Sequence, residues 1–149
     1  MTGPVTIAGM LETIFSVCSS LAMLGWVLLV FLPRQRHAHL LAALGIPLTI
    51  AVVYFVLIAQ HFASSDGGFG SLADVARLFS NPAALLAGWI HYLAFDLFIG
   101  GWEVRDAQRH GVPHVLIVPC LLLTFLFGPI GLLCYWAVRT WRTRHVELA

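Results

Sequence analysis

Charge is what this sequence has least of, and lysine is absent from it altogether. Only 10% of the 149 residues are charged, whereas a soluble domain carries about 25%. Hydrophobic residues make up 60% of the chain, and the formal net charge is only +1. The composition therefore indicates an integral membrane protein, and the near-neutral charge predicts no nucleic-acid partner.

Cysteine and the familiar catalytic motifs are also scarce. The three cysteines, Cys18, Cys120 and Cys134, lie in apolar runs without the spacing of metal ligands, so we predict small buried hydrophobic side chains. The chain lacks HExxH, GxSxG, CxxC and Walker patterns, and the set of HxxxH-type histidine boxes expected of membrane di-iron oxygenases is missing. No basic residue precedes the first apolar run, which is therefore expected to remain as a span.

Four apolar runs are long enough to cross a bilayer, which takes about 20 helical residues. They cover about 13–32, 40–59, 82–101 and 113–138. Because unpaired backbone groups are costly in hydrocarbon, we predict an all-α bundle of four transmembrane helices, forming one membrane domain over 1–149. Asn81 followed by Pro82 is typical of a helix start. Pro119 and "FGPIG" at 127–131 predict kinks in the fourth span.

A short helix lying on the membrane surface is predicted at about 71–80, between the second and third spans. Ser71 and Asp74 form a capping-box pattern, and the apolar residues that follow share one face. With four spans, both termini lie on the same side and four arginines fall on each side. The positive-inside rule then leaves the orientation undecided.

The third span carries two ionisable side chains at depth, His91 and Asp96. A charge there costs at least about 2.5–3.5 kcal/mol, so such residues normally face the protein interior. The two lie roughly 140° apart on an unbroken helix. Either they flank one groove from two sides, or His91 serves packing only, and Asp96 could also make a purely structural hydrogen bond. Near one face of this helix lie five polar residues: Tyr92, Asp96, Glu103, Asp106 and His110.

A metal site is an alternative interpretation of this face. Glu103, Asp106 and His110 offer carboxylate and imidazole ligands that a divalent metal accepts. Asp106 and Arg109, three residues apart, also suit an ordinary surface ion pair. Asp96 lies about 15 Å from Asp106 along a helix, too far to share the ion. We predict no cofactor, with a divalent metal as the alternative.

The segment "GWIHYLAFDLFIGGWEVRDAQRHGVPHVLIVPCLLLTFLFGPIGLL" resembles a known membrane protein family, as do "LGWVLLVFLPR" and "GFGSLADVARLFSNP". The family is typified by the plant plastid protein needed for neoxanthin synthesis and named for abscisic acid deficiency. The resemblance covers most of the chain and is closer to bacterial members, which implies a bacterial inner (cytoplasmic) membrane. The plant member is linked to the conversion of violaxanthin, an epoxy carotenoid, into allenic neoxanthin, an isomerisation without a redox step.

The resemblance implies an isomerase or lyase that acts on a carotenoid or related isoprenoid. His91 and Asp96 are the expected catalytic residues: Asp96 would protonate the epoxide oxygen and His91 would accept the proton from carbon. The surrounding binding residues are expected to be Tyr92, Trp89, Glu103, Arg105, Asp106 and His114. The alternative is a non-catalytic membrane protein that binds a carotenoid, quinone or lipid, or assists a partner enzyme. A homodimer is compatible with either function.

Overall fold

The computed structural model describes residues 6–61 and 66–144, and within these ranges every regular element is a helix. In chain order the elements are α1 (Ile7–Phe31), α2 (Arg36–Leu40), a π-helical turn (Leu41–Gly45), α3 (Ile46–His61), α4 (Leu72–Ser80), α5 (Pro82–Arg109), α6 (His114–Phe127) and α7 (Pro129–Thr143). The predicted all-α architecture is confirmed. A single domain over 1–149 stays a prediction, since it includes residues outside the described ranges.

Three helical segments are long and apolar enough to cross a membrane: Ile7–Phe31, Arg36–His61 and Pro82–Arg109. The second of these joins α2, the π-helical turn and α3 and contains the predicted span at 40–59, and the first contains the predicted span at 13–32 except for its last residue. α1 and α5 run in the same direction, because their beginnings meet at Phe15 and Trp89 and their later turns meet at Gly25 and Leu97. α3, which lies between α1 and α5 in the chain, runs in the opposite direction to both.

α5 begins where the sequence predicts and ends later. The Asn81 side chain accepts hydrogen bonds from the backbone N–H groups of Ala83 and Ala84, at 2.9 and 3.3 Å. Pro82 occupies the first helical position, where its missing N–H is harmless. The helix then continues past the predicted end at 101 to Arg109. The residues beyond 101 are therefore part of a long helix, not of a loop at the membrane surface.

Two glycines let neighbouring helices approach α5 closely without breaking it. A Cβ on Gly100 would lie 2.6 Å from the ring of Trp26 in α1. A Cβ on Gly101 would lie 2.4 Å from the Cβ of Ala43 in the π-helical turn. Any larger side chain would push these elements apart. Because α5 is unbroken here, Asp96 is separated from the residues at the end of α5 by the full length of the helix between them.

The predicted fourth span, 113–138, is not a single helix in the structure. It consists of α6 and α7, separated at Gly128, whose φ of 43° is a conformation that favours glycine. α7 folds back along α6: the Sγ atoms of Cys120 and Cys134 lie 3.4 Å apart. A Cβ on Gly131 would lie 2.0 Å from the backbone nitrogen of Thr124. The kink predicted at 127–131 is thus a reversal of the chain.

Neither helix of this α6–α7 hairpin is long enough to cross the membrane as a fourth span. α6 has 14 residues and α7 has 15, so each is about 21–23 Å long, shorter than the ~30 Å hydrocarbon core. The tip at Gly128 contacts Asp96, in the middle of α5. The hairpin therefore enters the bundle halfway and returns to the end at which it started. Pro119 does not interrupt α6, which continues as a helix through it.

The hairpin corrects the predicted topology. Because α7 returns to the end of the bundle where α5 finishes, the arginines divide seven to one, not four to four. The arginine-rich end holds Arg34, Arg36, Arg105, Arg109, Arg139, Arg142 and Arg144, and the opposite end holds Arg77. The first and last described residues lie at opposite ends of the bundle, not on the same side. The positive-inside rule now favours a cytoplasmic arginine-rich end.

The short helix predicted before the third span is present as α4, and its position on the membrane surface stays a prediction. Ser71 accepts a hydrogen bond from the backbone N–H of Asp74 at 3.1 Å and donates one to its Oδ2 at 2.6 Å. Hydrogen bonds from Ser71 and Arg77 hold the pKa of Asp74 below its usual value. A Cβ on Gly88 would lie 2.5 Å from the Phe79 ring, so α4 is packed against the first turns of α5.

Candidate functional site

One face of α5 carries a row of polar and aromatic side chains directed at the α6–α7 hairpin or at the space beyond its tip. The row consists of Trp89, Tyr92, Asp96, Glu103, Asp106 and His110. The predicted common face of Tyr92, Asp96 and Glu103 is confirmed by these contacts. The hairpin covers the row from Asp96 onwards and leaves the Trp89 end uncovered.

The part of the row nearest the arginine-rich end contains a buried ion pair. Asp106 is 3% exposed and Arg139 is 1% exposed, and Arg139 Nε lies 2.9 Å from Asp106 Oδ2. The Tyr135 hydroxyl donates to the same oxygen. Arg139 Nη2 lies 2.8 Å from His110 Nε2, and because arginine only donates, this imidazole nitrogen must accept. The His110 proton then lies on Nδ1, which is 2.9 Å from the Asp106 carbonyl oxygen.

Glu103 is held differently, without a cation among the described residues. It is fully buried and accepts from the Thr124 hydroxyl, which lies 3.0 and 3.2 Å from its two oxygens. This contact fixes the last turn of α6 to α5. Together with the ion pair, it makes the covered half of the row the attachment of the hairpin to α5.

The alternative metal site at Glu103, Asp106 and His110 is not assembled in the described part of the chain, where no three ligand side chains cluster suitably. The physical reason is Arg139, whose guanidinium occupies the position beside Asp106 that a cation would take. The ion-pair partner of Asp106 is Arg139 and not Arg109, which is exposed.

Asp96 lies where the hairpin ends, and it differs from the other carboxyl groups in the row. A Cβ on Gly128 would lie 2.9 Å from both of its oxygens, so its carboxyl group rests against the tip. Asp96 Oδ2 is buried and has no hydrogen-bond partner among the described residues. The Tyr92 hydroxyl lies beside this carboxyl and donates to the Phe125 carbonyl at 2.6 Å. The Oδ2 atom of Asp96 thus has hydrogen-bonding capacity that the described residues do not use.

Beyond the hairpin tip, the same face of α5 opens towards lipid. Trp89 is 41% exposed, its ring lies 5.4 Å from that of Tyr92 and 5.8 Å from that of Phe15, and its Nε1 donates to Ser19 Oγ at 3.2 Å. A cleft of about 430 Å³ runs on between α1 and α5. It is lined by Ala8, Leu11, Glu12, Phe15, Pro82, Leu85, Leu86 and Trp89. This α1–α5 cleft leads along an aromatic surface towards Tyr92 and Asp96.

His91 does not join the row, and the expected catalytic pair is not brought together. The His91 ring is exposed on another face of α5, stacks on Phe95 at 4.6 Å and meets Tyr54 edge-on at 5.5 Å. It lines a separate cavity of about 300 Å³ between α3, α4 and α5. Because α5 is unbroken, the angular separation from Asp96 that helical geometry predicts persists in the structure, and the two side chains do not flank one groove.

The two remaining predicted binding residues lie at the arginine-rich end, outside the row. Arg105 is exposed and acts electrostatically on His39. His114 begins α6, and its Nε2 lies 2.9 Å from the Val30 carbonyl oxygen. Neither residue forms a hydrogen bond or a ring contact with Asp96 in the part of the chain that the structure describes.

Three residues of the site were not predicted: Thr124, Tyr135 and Arg139. In a straight fourth span they lie far from the end of α5, and Arg139 looks like a charge that closes the span. The signal available in the sequence is "FGPIG", since a complete reversal there returns Arg139 to Asp106.

A comparison with protein families decides what this architecture is. The model of the ABA4-like family, described as ABA DEFICIENT 4-like, matches residues 13–135. The chain belongs to the ABA4-like family. The match includes the entire row on α5, the turn at Gly128 and Tyr135, whereas Arg139 lies beyond it. No curated protein and no solved structure matches the chain. The family and the three apolar helices together support a membrane protein related to neoxanthin synthesis.

Proposed function

We propose that this ABA4-like protein is a membrane-embedded isomerase that opens an epoxide on a carotenoid or related isoprenoid, with Asp96 as the reacting acid. The observation that carries the proposal is the unpartnered Oδ2 of Asp96, which lies against the hairpin tip at Gly128, further along α5 than Trp89 at the end of the α1–α5 cleft. A buried polar atom without a partner is costly, so a role in packing alone gives no reason to keep it. A bacterial inner membrane and a homodimer remain part of the expectation.

The α1–α5 cleft supplies a route for a long apolar substrate that enters directly from lipid. Phe15 and Trp89 provide aromatic surface for a polyene chain. Asp96 lies seven residues after Trp89, about 10.5 Å further along α5, so an oxygenated end group can reach it while the chain remains in the cleft. Because Oδ2 is buried beneath Gly128, substrate access requires the hairpin tip to shift.

The proposed chemistry balances with Asp96 alone. Its carboxylic acid gives a proton to the epoxide oxygen as one carbon–oxygen bond breaks and an alcohol forms. The resulting carboxylate takes the proton from the neighbouring carbon, a carbon–carbon double bond forms, and the acid is restored. No electrons leave or enter. Tyr92 acts as a positioning residue, because its hydroxyl is fixed by Phe125 and lies beside the carboxyl group. His91, on the other face, has no part in this step.

The second candidate function is non-catalytic binding of a carotenoid, quinone or lipid, alone or in support of a partner enzyme. It is favoured by the position of Gly128 over Asp96, which keeps a ligand in the cleft away from the carboxyl group. In that case the ligand leaves the cleft chemically unchanged.

The test is turnover of violaxanthin by purified protein in liposomes, followed by chromatography of the extracted pigments. Asp96→Asn removes the acid with little change in shape, and we expect conversion to fall by at least about 100-fold. Asp66→Asn makes the same chemical change in an exposed loop and should leave conversion unchanged. His91→Ala should also remain active. Conversion by Asp96→Asn at the wild-type rate would refute the catalytic proposal, whereas wild-type protein that only retains unchanged pigment would support the binding function.

A further inference from the structure

Among the described residues, the exposed charge at the arginine-rich end has a single sign. Six arginines are exposed there: Arg34, Arg36, Arg105, Arg109, Arg142 and Arg144. The two carboxyl groups described at this end, Glu103 and Asp106, are buried under the hairpin. No acidic side chain in the described residues therefore neutralises this surface. A basic surface at the end of a transmembrane bundle complements the anionic headgroups of the cytoplasmic leaflet.

One cavity at this end concentrates polar groups at the edge of the membrane. It has a volume of about 570 Å³ and lies where the α1–α2 loop meets the α5–α6 turn, with Arg34, Gln108 and His114 in its lining. Because a water molecule occupies about 30 Å³ of liquid, the cavity has room for a hydrated headgroup. An adjoining cavity of about 630 Å³ also contains Arg34 and His114 and continues along Phe31 and Leu32. We name the two together the Arg34 pocket.

Two long-range hydrogen bonds build the walls of the Arg34 pocket. Gln108 Nε2 donates to the Pro33 carbonyl at 2.6 Å, which ties the α1–α2 loop to α5. His114 Nε2 lies 2.9 Å from the Val30 carbonyl oxygen, which ties the start of α6 to α1. Arg34 itself is exposed and has no acidic partner among the described residues. The pocket is therefore a defined structure around a cation that the described protein leaves unpaired.

We propose that the Arg34 pocket binds the phosphate group of an anionic phospholipid from the cytoplasmic leaflet. A guanidinium group suits the planar, bidentate recognition of phosphate oxygens. The lipid source is favoured over free phosphate because the pocket continues onto apolar surface. Phe31 and Leu32 are 73% and 43% exposed, and their side chains offer a surface for acyl chains. This site lies at the opposite end of α1 from the α1–α5 cleft and is independent of the proposed isomerase function.

The test is lipid binding by the full chain in nanodiscs of phosphatidylcholine into which phosphatidylglycerol is titrated, with retained lipid measured by native mass spectrometry. Arg34→Gln should weaken phosphatidylglycerol binding about fivefold. The matched control is Arg36→Gln, which removes the same charge from an exposed position two residues away, outside the pocket lining. It should retain wild-type binding.

Equal losses in the two variants would overturn the proposal, because they would show only diffuse attraction between the arginines and the leaflet. Inorganic phosphate, added to discs of phosphatidylcholine alone, distinguishes the source of the phosphate group. If it binds as tightly as phosphatidylglycerol and is lost in Arg34→Gln, the lipid assignment is wrong. A selective loss of phosphatidylglycerol in Arg34→Gln, with no binding of inorganic phosphate at comparable concentration, would support it.

Discussion

The buried pair of Asp106 and Arg139 should be the main attachment of the hairpin to α5. Replacing Arg139 with Gln leaves the Asp106 carboxylate buried without its cation. The Gln side chain is also shorter, which moves the hydrogen-bond donor away from His110. Removing one partner of a buried ion pair typically costs about 3–5 kcal/mol, because the remaining charge is neither solvated nor paired. Arg139 is 1% exposed and Asp106 is 3% exposed, so solvent can relieve little of this cost. We expect Arg139→Gln to lower the free energy of unfolding by that amount.

The double variant separates the pair from its surroundings. In Asp106→Asn combined with Arg139→Gln neither charge remains, and the Asn carbonyl can still accept from Tyr135. The loss should therefore be smaller than the sum of the two single losses by at least about 2 kcal/mol, within the range seen for contacting residues. The assay is reversible unfolding in mixed micelles titrated with sodium dodecyl sulfate, followed by tryptophan fluorescence. Trp102 is a local probe, since its ring lies 5.5 Å from that of Tyr135.

Arg142→Gln is the matched control for this cycle. Arg142 is on the same helix, is exposed and lies 5.9 Å from the Trp141 ring, so its loss should leave stability close to the wild-type value. The reasoning would be refuted if Arg139→Gln cost no more than Arg142→Gln, or if the two single losses simply added. Either result would mean that the pair is solvated in the membrane protein as an exposed pair is.

Two further predictions test the hairpin itself. Gly131→Ala should destabilise the protein by about 1–3 kcal/mol in the same micelle assay, because the new Cβ would lie 2.0 Å from the Thr124 backbone nitrogen. The control is Gly68→Ala, which has open space around it and should have little effect. In a cysteine-free background, single cysteines at Ser71 and Trp141 should be labelled by a membrane-impermeant maleimide from opposite sides of the membrane; labelling of both from the same side would instead support four spans.

Much of the fold could be predicted from the sequence because hydrophobic length and helix caps are local signals. The start of α5 at Pro82 and the capping of α4 by Ser71 depend on a few adjacent residues. The direction of the chain after Gly128 does not. A kinked span and a re-entrant hairpin have the same apolar composition, and the choice is made by distant contacts such as Asp106 with Arg139. The error in the fourth span therefore also caused the error in the distribution of arginines.

The candidate site follows the same division between local and distant signals. The common face of Tyr92, Asp96 and Glu103 follows from helical geometry, and so does the separation of His91 from it. Helical geometry alone cannot show what covers that face. The hairpin encloses Glu103 and leaves Trp89 open to lipid, so residues with the same orientation on α5 have different surroundings.

The proposed function divides the row on α5 in the same place as burial does. In the covered half both carboxyl groups have partners: Asp106 contacts Arg139 and Tyr135, and Glu103 accepts from Thr124. These contacts fix α7 and the last turn of α6 to α5, and the position of the tip over Asp96 follows from them. A change at Arg139 would thus affect the proposed reaction only by moving Gly128. The double variant of Asp106→Asn and Arg139→Gln, in which neither charge remains, should restore conversion. In the proposed mechanism, a change at Asp96 removes the reacting group itself, and we expect no second change in the hairpin to restore conversion.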